Sequence, residues 1–212
     1  MNAFRLGLVL ATAFSAVLTI RAREQTRKVP LYVFKPLTLI LIIVSALVKR
    51  ADHTAYFYGI MAGLVFCLLG DIFLMFPEQR FTAGLGSFLI GHILYTVAFV
   101  SDAGFGFSPI VLCPFAVYGF WMCKMLFPHL GRMKLPVLIY TAVLLIMAWQ
   151  AWERWLETGQ NLALLASTGA FLFVVSDSVL AINRFRGKFR YAQTIILSTY
   201  YAAQMFIVWS LG

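Results

Sequence analysis

Residues Gly63 to Tyr95 read GLVFCLLGDIFLMF-PEQR-FTAGLGSFLIGHILY. Two apolar runs flank a short polar turn, Pro77-Glu78-Gln79-Arg80. Each run belongs to a longer apolar segment, residues 54–76 and 81–100, long enough to cross a bilayer, which takes about 20 mostly apolar residues. Each also carries a polar side chain that lipid disfavours: Asp71 in the first, His92 in the second. An ionisable group inside a span costs roughly 2.5–3.5 kcal/mol on insertion scales, so its presence points to function. A second stretch repeats the design. Gly169 to Phe185 reads GAFLFVVSDSVLAINRF and places Asp177 eight residues after a glycine and three before a leucine. Asp71 stands in the same relation to Gly63 and Leu74. These two aspartates are the first candidates for chemistry.

The rest of the chain follows the same logic. Of its 212 residues, 62% are hydrophobic, against about 45–50% in soluble domains. Eight spans with short loops use nearly the whole length. The expected fold is therefore all-α, a polytopic membrane protein, with residues 1–212 forming one integral membrane domain. Arg5 followed by an apolar run resembles a signal peptide, but no small-residue cleavage site follows, so this run is read as the first span. The eight spans are expected near residues 3–20, 31–48, 54–76, 81–100, 107–127, 135–152, 161–182 and 191–211. Lys49, Arg50 and Asp52 fall in the second loop, and Pro109 and Pro114 predict a bend in span five.

The net charge of +9 could suggest nucleic acid, but the charges sit in short loops between spans, so no nucleic-acid partner is expected. Twelve basic residues lie on the side of the odd-numbered loops: Arg21, Arg23, Arg27, Lys28, Arg80, Lys124, Arg132, Lys134, Arg184, Arg186, Lys188 and Arg190. Arg5, Lys49, Arg50 and Arg154, four in all, lie on the other. Positive charge marks the cytoplasmic side, which puts both termini outside a bacterial inner membrane. Two halves of four spans are expected to form parallel repeats. Asp71 and Tyr95 are 24 residues apart, as are Asp177 and Tyr201, and Lys35-Pro36 in span two is matched by Lys134-Leu135-Pro136 at span six.

Counting about 1.5 Å of rise per residue brings Asp71, Asp177 and Lys35 to one level near the basic side. His92, Tyr95, Tyr200, Tyr201 and Gln204 are expected deeper, as a polar floor under an apolar tunnel that binds substrate. Each has a plainer reading. The aspartates could pair with lysines or cap helices. Lys35 could snorkel to headgroups. His92 could bridge two helices, and the tyrosines could be packing residues. Gly84, Gly86 and Gly91 fit close helix approach, and His53 and His129 fit solvated loops. Three scattered histidines make no zinc site. Cys67, Cys113 and Cys123 give neither metal spacing nor a disulfide framework, and there is no Gly-x-Ser-x-Gly nucleophile elbow. Neither a metal nor a cofactor is expected.

One set of motifs is familiar. Gly70-Asp71 with Leu74-Met75, then Phe81, Gly84-Leu85, Phe88, Gly91-His92 and Tyr95, then Ser176-Asp177 with Leu180-Ala181, resembles the YhhN family of lysoplasmalogenases. Lys35-Pro36-Leu37-Thr38 and Tyr200-Tyr201 with Gln204 extend the resemblance over nearly the whole chain. The resemblance implies an eight-span enzyme that draws a lysophospholipid from the membrane. It would hydrolyse the vinyl ether bond of lysoplasmalogens to a fatty aldehyde and a glycerophospho-base. A vinyl ether yields to acid, so the reaction needs a proton donor active near neutral pH and a carboxylate to steer water. Paired carboxylates in unlike surroundings divide those roles. Lys35 would serve the substrate phosphate or the ionised aspartate. Two other readings use the same residues: a proton-coupled transporter with the aspartates as relays, and an aspartyl membrane protease. The protease lacks a glycine-rich docking loop beside Asp177.

Overall fold

A computed structural model describes residues 3–49 and 54–212; for Pro77, Glu78 and Gln79 it describes the backbone alone. Arg50, Asp52 and His53 lie outside the described residues. The described chain is helical, with eight α-helices: α1 (Ala3–Glu24), α2 (Lys28–Val48), α3 (Ala55–Leu74), α4 (Pro77–Ala103), α5 (Pro109–Leu126), α6 (Lys134–Thr158), α7 (Asn161–Ala181) and α8 (Ala192–Trp209). Seven are long and apolar enough to cross a membrane. The eighth span expected from the sequence, α8, is not among them. It is 18 residues long and carries Gln193, Thr194, Ser198, Thr199, Tyr200, Tyr201 and Gln204, which lower its hydropathy.

The helices alternate in direction. At one end Arg5 donates to the Val48 carbonyl and Lys49 to that of Trp209. At the other, Arg23 donates to Gln193 and Thr194 to Glu24, so the end of α1 meets the start of α8. Helices α2, α3, α4, α6, α7 and α8 form a closed ring, each touching the next. Outside it, α1 packs on α2 and α8, whereas α5 packs on α6 and makes no extensive contact with α4.

Small residues let the ring close. A Cβ on Gly63 would sit 2.3 Å from the Tyr95 ring, and one on Gly169 would sit 2.8 Å from the Ala203 carbonyl. Without Cβ atoms at these points, α3 and α4, and α7 and α8, approach to backbone range, which is how helices associate where lipid supplies no hydrophobic drive. Gly84 and Gly91 do the same against Leu74 and Cys67, while Gly86 faces open space.

Several boundaries move. Pro77 opens α4 rather than a loop, and the helix breaks at Arg80 (φ −127°, ψ 17°). Pro109 occupies the first turn of α5, where its missing N–H costs nothing. α6 runs six residues past the expected end, to Thr158. Glu153 and Arg154, read as the edge of a loop, are therefore buried helical residues. Arg154 pairs with Asp102 at 2.7 Å and lies over the Tyr56 ring. Glu153 accepts from the Ser108 backbone N–H and hydroxyl, both at 2.8 Å. The loop joining α4 to α5 is thereby fastened to α6 at this end of the bundle. Beyond α7 the chain continues as a π-helical turn, Ile182–Arg186. His129 is exposed, as a loop histidine should be.

Candidate functional site

Asp71 lies one turn before the end of α3 and is 2% exposed. Its Oδ1 is 3.0 Å from the Lys35 ammonium, which also donates to the Asp71 carbonyl at 3.3 Å. Its Oδ2 accepts from the Tyr200 hydroxyl at 2.9 Å. Thus α2 and α8 occupy both carboxylate oxygens from the ring interior. Lys35, in the third turn of α2 just before Pro36, lays its long apolar stem along the buried face with Leu31, Thr38 and Leu39.

Asp177 occupies the matching place near the end of α7 and is only partly buried. Its Oδ2 accepts a hydrogen bond from the Tyr140 hydroxyl on α6. Among the described residues no lysine, arginine or histidine forms an ion pair with it. One residue on, Ser178 bonds to Tyr118 of α5.

The two aspartates do not touch. Aromatic rings connect them in series: Tyr200 meets Phe173 (centroids 5.4 Å apart), Phe173 meets His92 (4.8 Å), and His92 meets Tyr140 (5.4 Å), all edge-on. Edge-to-face pairs at these separations are favourable and hold the rings in fixed planes. His92 is fully buried, and neither ring nitrogen has a partner among the described residues. The Tyr201 hydroxyl and Gln204 Nε2 are likewise unpartnered, although Gln204 Oε1 accepts from Tyr95 at 2.6 Å. Buried polar atoms are nearly always hydrogen-bonded in folded proteins. This cluster therefore has donor and acceptor capacity to spare for water or substrate.

A pocket of about 40 Å³ opens beside Asp177, room for a few water molecules or the end of an alkyl chain. Its walls are apolar, with Leu85, Met122, Leu144 and Val174 among them, and its polar lining comes from Tyr118, Tyr140, Thr141, Asp177, Ser178 and Arg184. Asp71, Lys35, His92, Tyr95, Tyr200, Tyr201 and Gln204 are not among the lining residues. The sequence-derived set is thus divided. Lys35, Asp71 and Tyr200 form one bonded group, Tyr95 and Gln204 another, Tyr201 packs beside Tyr200, His92 stands behind the pocket against Tyr140, and Asp177 alone lines it. Tyr118, Tyr140, Ser178 and Arg184 were not singled out from sequence. Tyr140 lies four residues after Pro136 in an apolar helix, and nothing in its neighbourhood distinguishes it from a packing tyrosine. Among the described residues no group of three or more histidines, cysteines or acids could hold a metal.

The chain is similar to a protein named "Uncharacterized membrane protein YhhN" from Escherichia coli O6:H1, 32% identical over 205 residues, which is 95% of this chain and 97% of that one. It is also similar to lysoplasmalogenase TMEM86A of Bos taurus, 36% identical over 170 residues, covering 71% of this chain and 64% of the relative. Lysoplasmalogenase TMEM86B of Homo sapiens is 35% identical over 159 residues, 71% of this chain and 62% of the relative. No solved structure matches. The YhhN family profile matches residues 31–211, which takes in both aspartates and every side chain bonded to them, and the chain belongs to the YhhN family.

Proposed function

We propose that this protein is a lysoplasmalogenase, a membrane hydrolase that releases a fatty aldehyde and a glycerophospho-base from a lysoplasmalogen. The observation that carries the reading is Asp177: a carboxyl group in an apolar pocket, hydrogen-bonded to a phenol and unpaired with any cation among the described residues. The names of the mammalian relatives support the substrate class.

The chemistry runs through one proton. Asp177 gives it to the alkene carbon that does not bear oxygen. The oxygen-bearing carbon becomes an oxocarbenium ion, and the Asp177 carboxylate lies beside it. Water forms the new C–O bond at that carbon and returns a proton to Asp177. The hemiacetal then breaks its bond to the glycerol oxygen, which takes the proton held by Asp177, while the hemiacetal hydroxyl gives its own proton to the Asp177 carboxylate and becomes the aldehyde carbonyl. The water sits in the pocket, where Tyr140, Thr141 and Ser178 line the wall beside Asp177; His92 packs edge-on against Tyr140 behind that wall, and Gln204, held by Tyr95, keeps a spare amide deeper in the core. Asp71 acts at one remove: with Lys35 it fixes Tyr200, and Tyr200 packs on the Phe173 ring that meets His92. Tyr201 offers its free hydroxyl to the same core. The protein acts without a cofactor, as one membrane domain in a bacterial inner membrane, both termini outside, where the bias of basic residues puts them.

Purified protein in detergent, given a lysoplasmalogen, should release aldehyde, and should release no fatty acid from the acyl lysolipid of the same headgroup. Absence of aldehyde from any alkenyl lysolipid would end this reading.

A further inference from the structure

The same pocket has a second charged end. Arg184, seven residues after Asp177, lines it beside Phe81 and Phe185. Seven residues span about 10 Å along a helix axis, and here the last of them belong to the π-helical turn Ile182–Arg186. The Arg184 guanidinium lies 4.8 Å from the centroid of the Phe81 ring, and Phe81 stands edge-on to Phe185 at 6.0 Å. An aromatic face thus holds the cation at the rim, on the end of the bundle where the other basic residues gather. Arg184 is exposed and has no carboxylate partner among the described residues. No other cation lines the pocket. Lys35, the phosphate ligand considered from sequence, is engaged 3.0 Å from Asp71 on the far side of the aromatic series.

We infer that Arg184 binds the phosphate of a single-chain glycerophospholipid, whose hydrocarbon chain runs inward past Asp177. This rests on the lysoplasmalogenase reading for the bond that is cleaved, but not for the binding itself. The rim-to-carboxyl spacing is that of a glycerol phosphate: the headgroup stays at the basic surface while the first carbons of the chain reach Asp177. Leu85, Met122, Leu144 and Val174 then line the path of the tail. The guanidinium suits the role because its planar fork takes two phosphate oxygens at once. Access is lateral: α5 stands off α4, so a lipid can enter between them from the leaflet at the basic end. With one chain already filling so narrow a slot, a second acyl chain has no place. Arg184 therefore sets specificity for lysolipids with a phosphate, and positions the reacting bond.

Equilibrium binding of ligands that lack a vinyl ether to the full-length protein in detergent tests this independently of turnover. The probes are 1-O-hexadecyl-glycerophosphocholine, 1-O-hexadecylglycerol and a diacyl phosphatidylcholine. The wild type should prefer the phosphate-bearing single-chain ligand over the alkylglycerol by about 10- to 100-fold, the range expected of a charge-assisted pair. Arg184→Gln should collapse that ratio to near unity, Arg184→Lys should recover part of it, and Arg186→Gln, in a neighbour that does not line the pocket, should keep it. A ratio that survives Arg184→Gln, a wild type with no phosphate preference, or equal binding of the diacyl lipid would each overturn the inference. A wild type that shows the preference yet releases no aldehyde would uphold Arg184 and overturn the hydrolase.

Discussion

Asp71 and Asp177 sit near the same ends of α3 and α7, each preceded by a glycine eight residues upstream, and yet their surroundings are opposites. Around Asp71, α2 brings a lysine to the carboxylate, α8 brings a tyrosine, and α1 packs against both α2 and α8. Around Asp177, α6 brings a tyrosine, and α5, which makes no extensive contact with α4, joins α6 in lining a pocket beside the carboxyl group. One aspartate is sealed and ion-paired; the other lines a pocket and has no ion-pair partner among the described residues. A buried ion pair cannot easily lend a proton, because losing its charge would strand the lysine. A carboxyl group bonded only to a phenol has no such tie. The two halves thus put structure on one aspartate and access on the other, and the roles proposed above follow that division.

The largest expected effect breaks the open side. Asp177→Asn keeps size and hydrogen-bonding shape but offers no acidic proton. Aldehyde release should fall about 10²–10⁴-fold, the usual contribution of general acid–base catalysis, while the protein elutes as a monodisperse species. Turnover close to wild type in that variant would move the chemistry elsewhere.

On the sealed side the effect should appear in stability. Lys35→Met leaves Asp71 buried with Tyr200 alone, and breaking a buried pair by removing one partner costs about 3–5 kcal/mol. The double variant Lys35→Met, Asp71→Asn removes both charges and should regain most of that loss, since a neutral pair needs no counter-charge. Thermal unfolding in one detergent compares the three proteins. If Lys35→Met unfolds at the wild-type temperature, Lys35 is not the partner of Asp71 and is again a candidate for the substrate phosphate.

Much of this division was hidden in the sequence, for physical reasons. The depth of Asp71, Asp177 and Lys35 was legible, because helical rise is constant and loop charges mark the ends; the 3.0 Å pair of Lys35 with Asp71 agrees with their common level. The spacing singled out both aspartates but could not say which would act as the acid, because that depends on tertiary neighbours that spacing does not carry. Tyr140 could not be read as a partner of Asp177, since a tyrosine in an apolar helix carries the same local signal whether it packs or bonds. Glu153 and Arg154 were misplaced because a charged pair after Trp152 looks like a helix end. Their partners, Ser108 and Asp102, come from another part of the chain. A signal was available: the loop before Pro109 has backbone N–H groups that need an acceptor, and Glu153 supplies it. The low hydropathy of α8 comes partly from side chains that face the core: Tyr200, Tyr201 and Gln204 are all buried.

The smallest effect sharpens the comparison at its finest point, the phenol on Asp177. Tyr140→Phe removes one hydroxyl and leaves the ring that meets His92 edge-on. The Phe ring preserves the pocket wall, so the alkyl chain should bind as before. What goes is the hydrogen bond that fixes which way the carboxyl group points, worth roughly 0.5–1.5 kcal/mol, or about 2- to 10-fold in rate. The loss should fall on kcat rather than on KM, because the bond orients the acid and does not touch the substrate headgroup. Tyr200→Phe provides the matched test on Asp71, where Lys35 still holds the carboxylate, and its effect on kcat should be the weaker of the two. If Tyr200→Phe slows turnover more than Tyr140→Phe, then Asp71 is the aspartate closer to the chemistry, and the sealed and open halves exchange the roles given to them here.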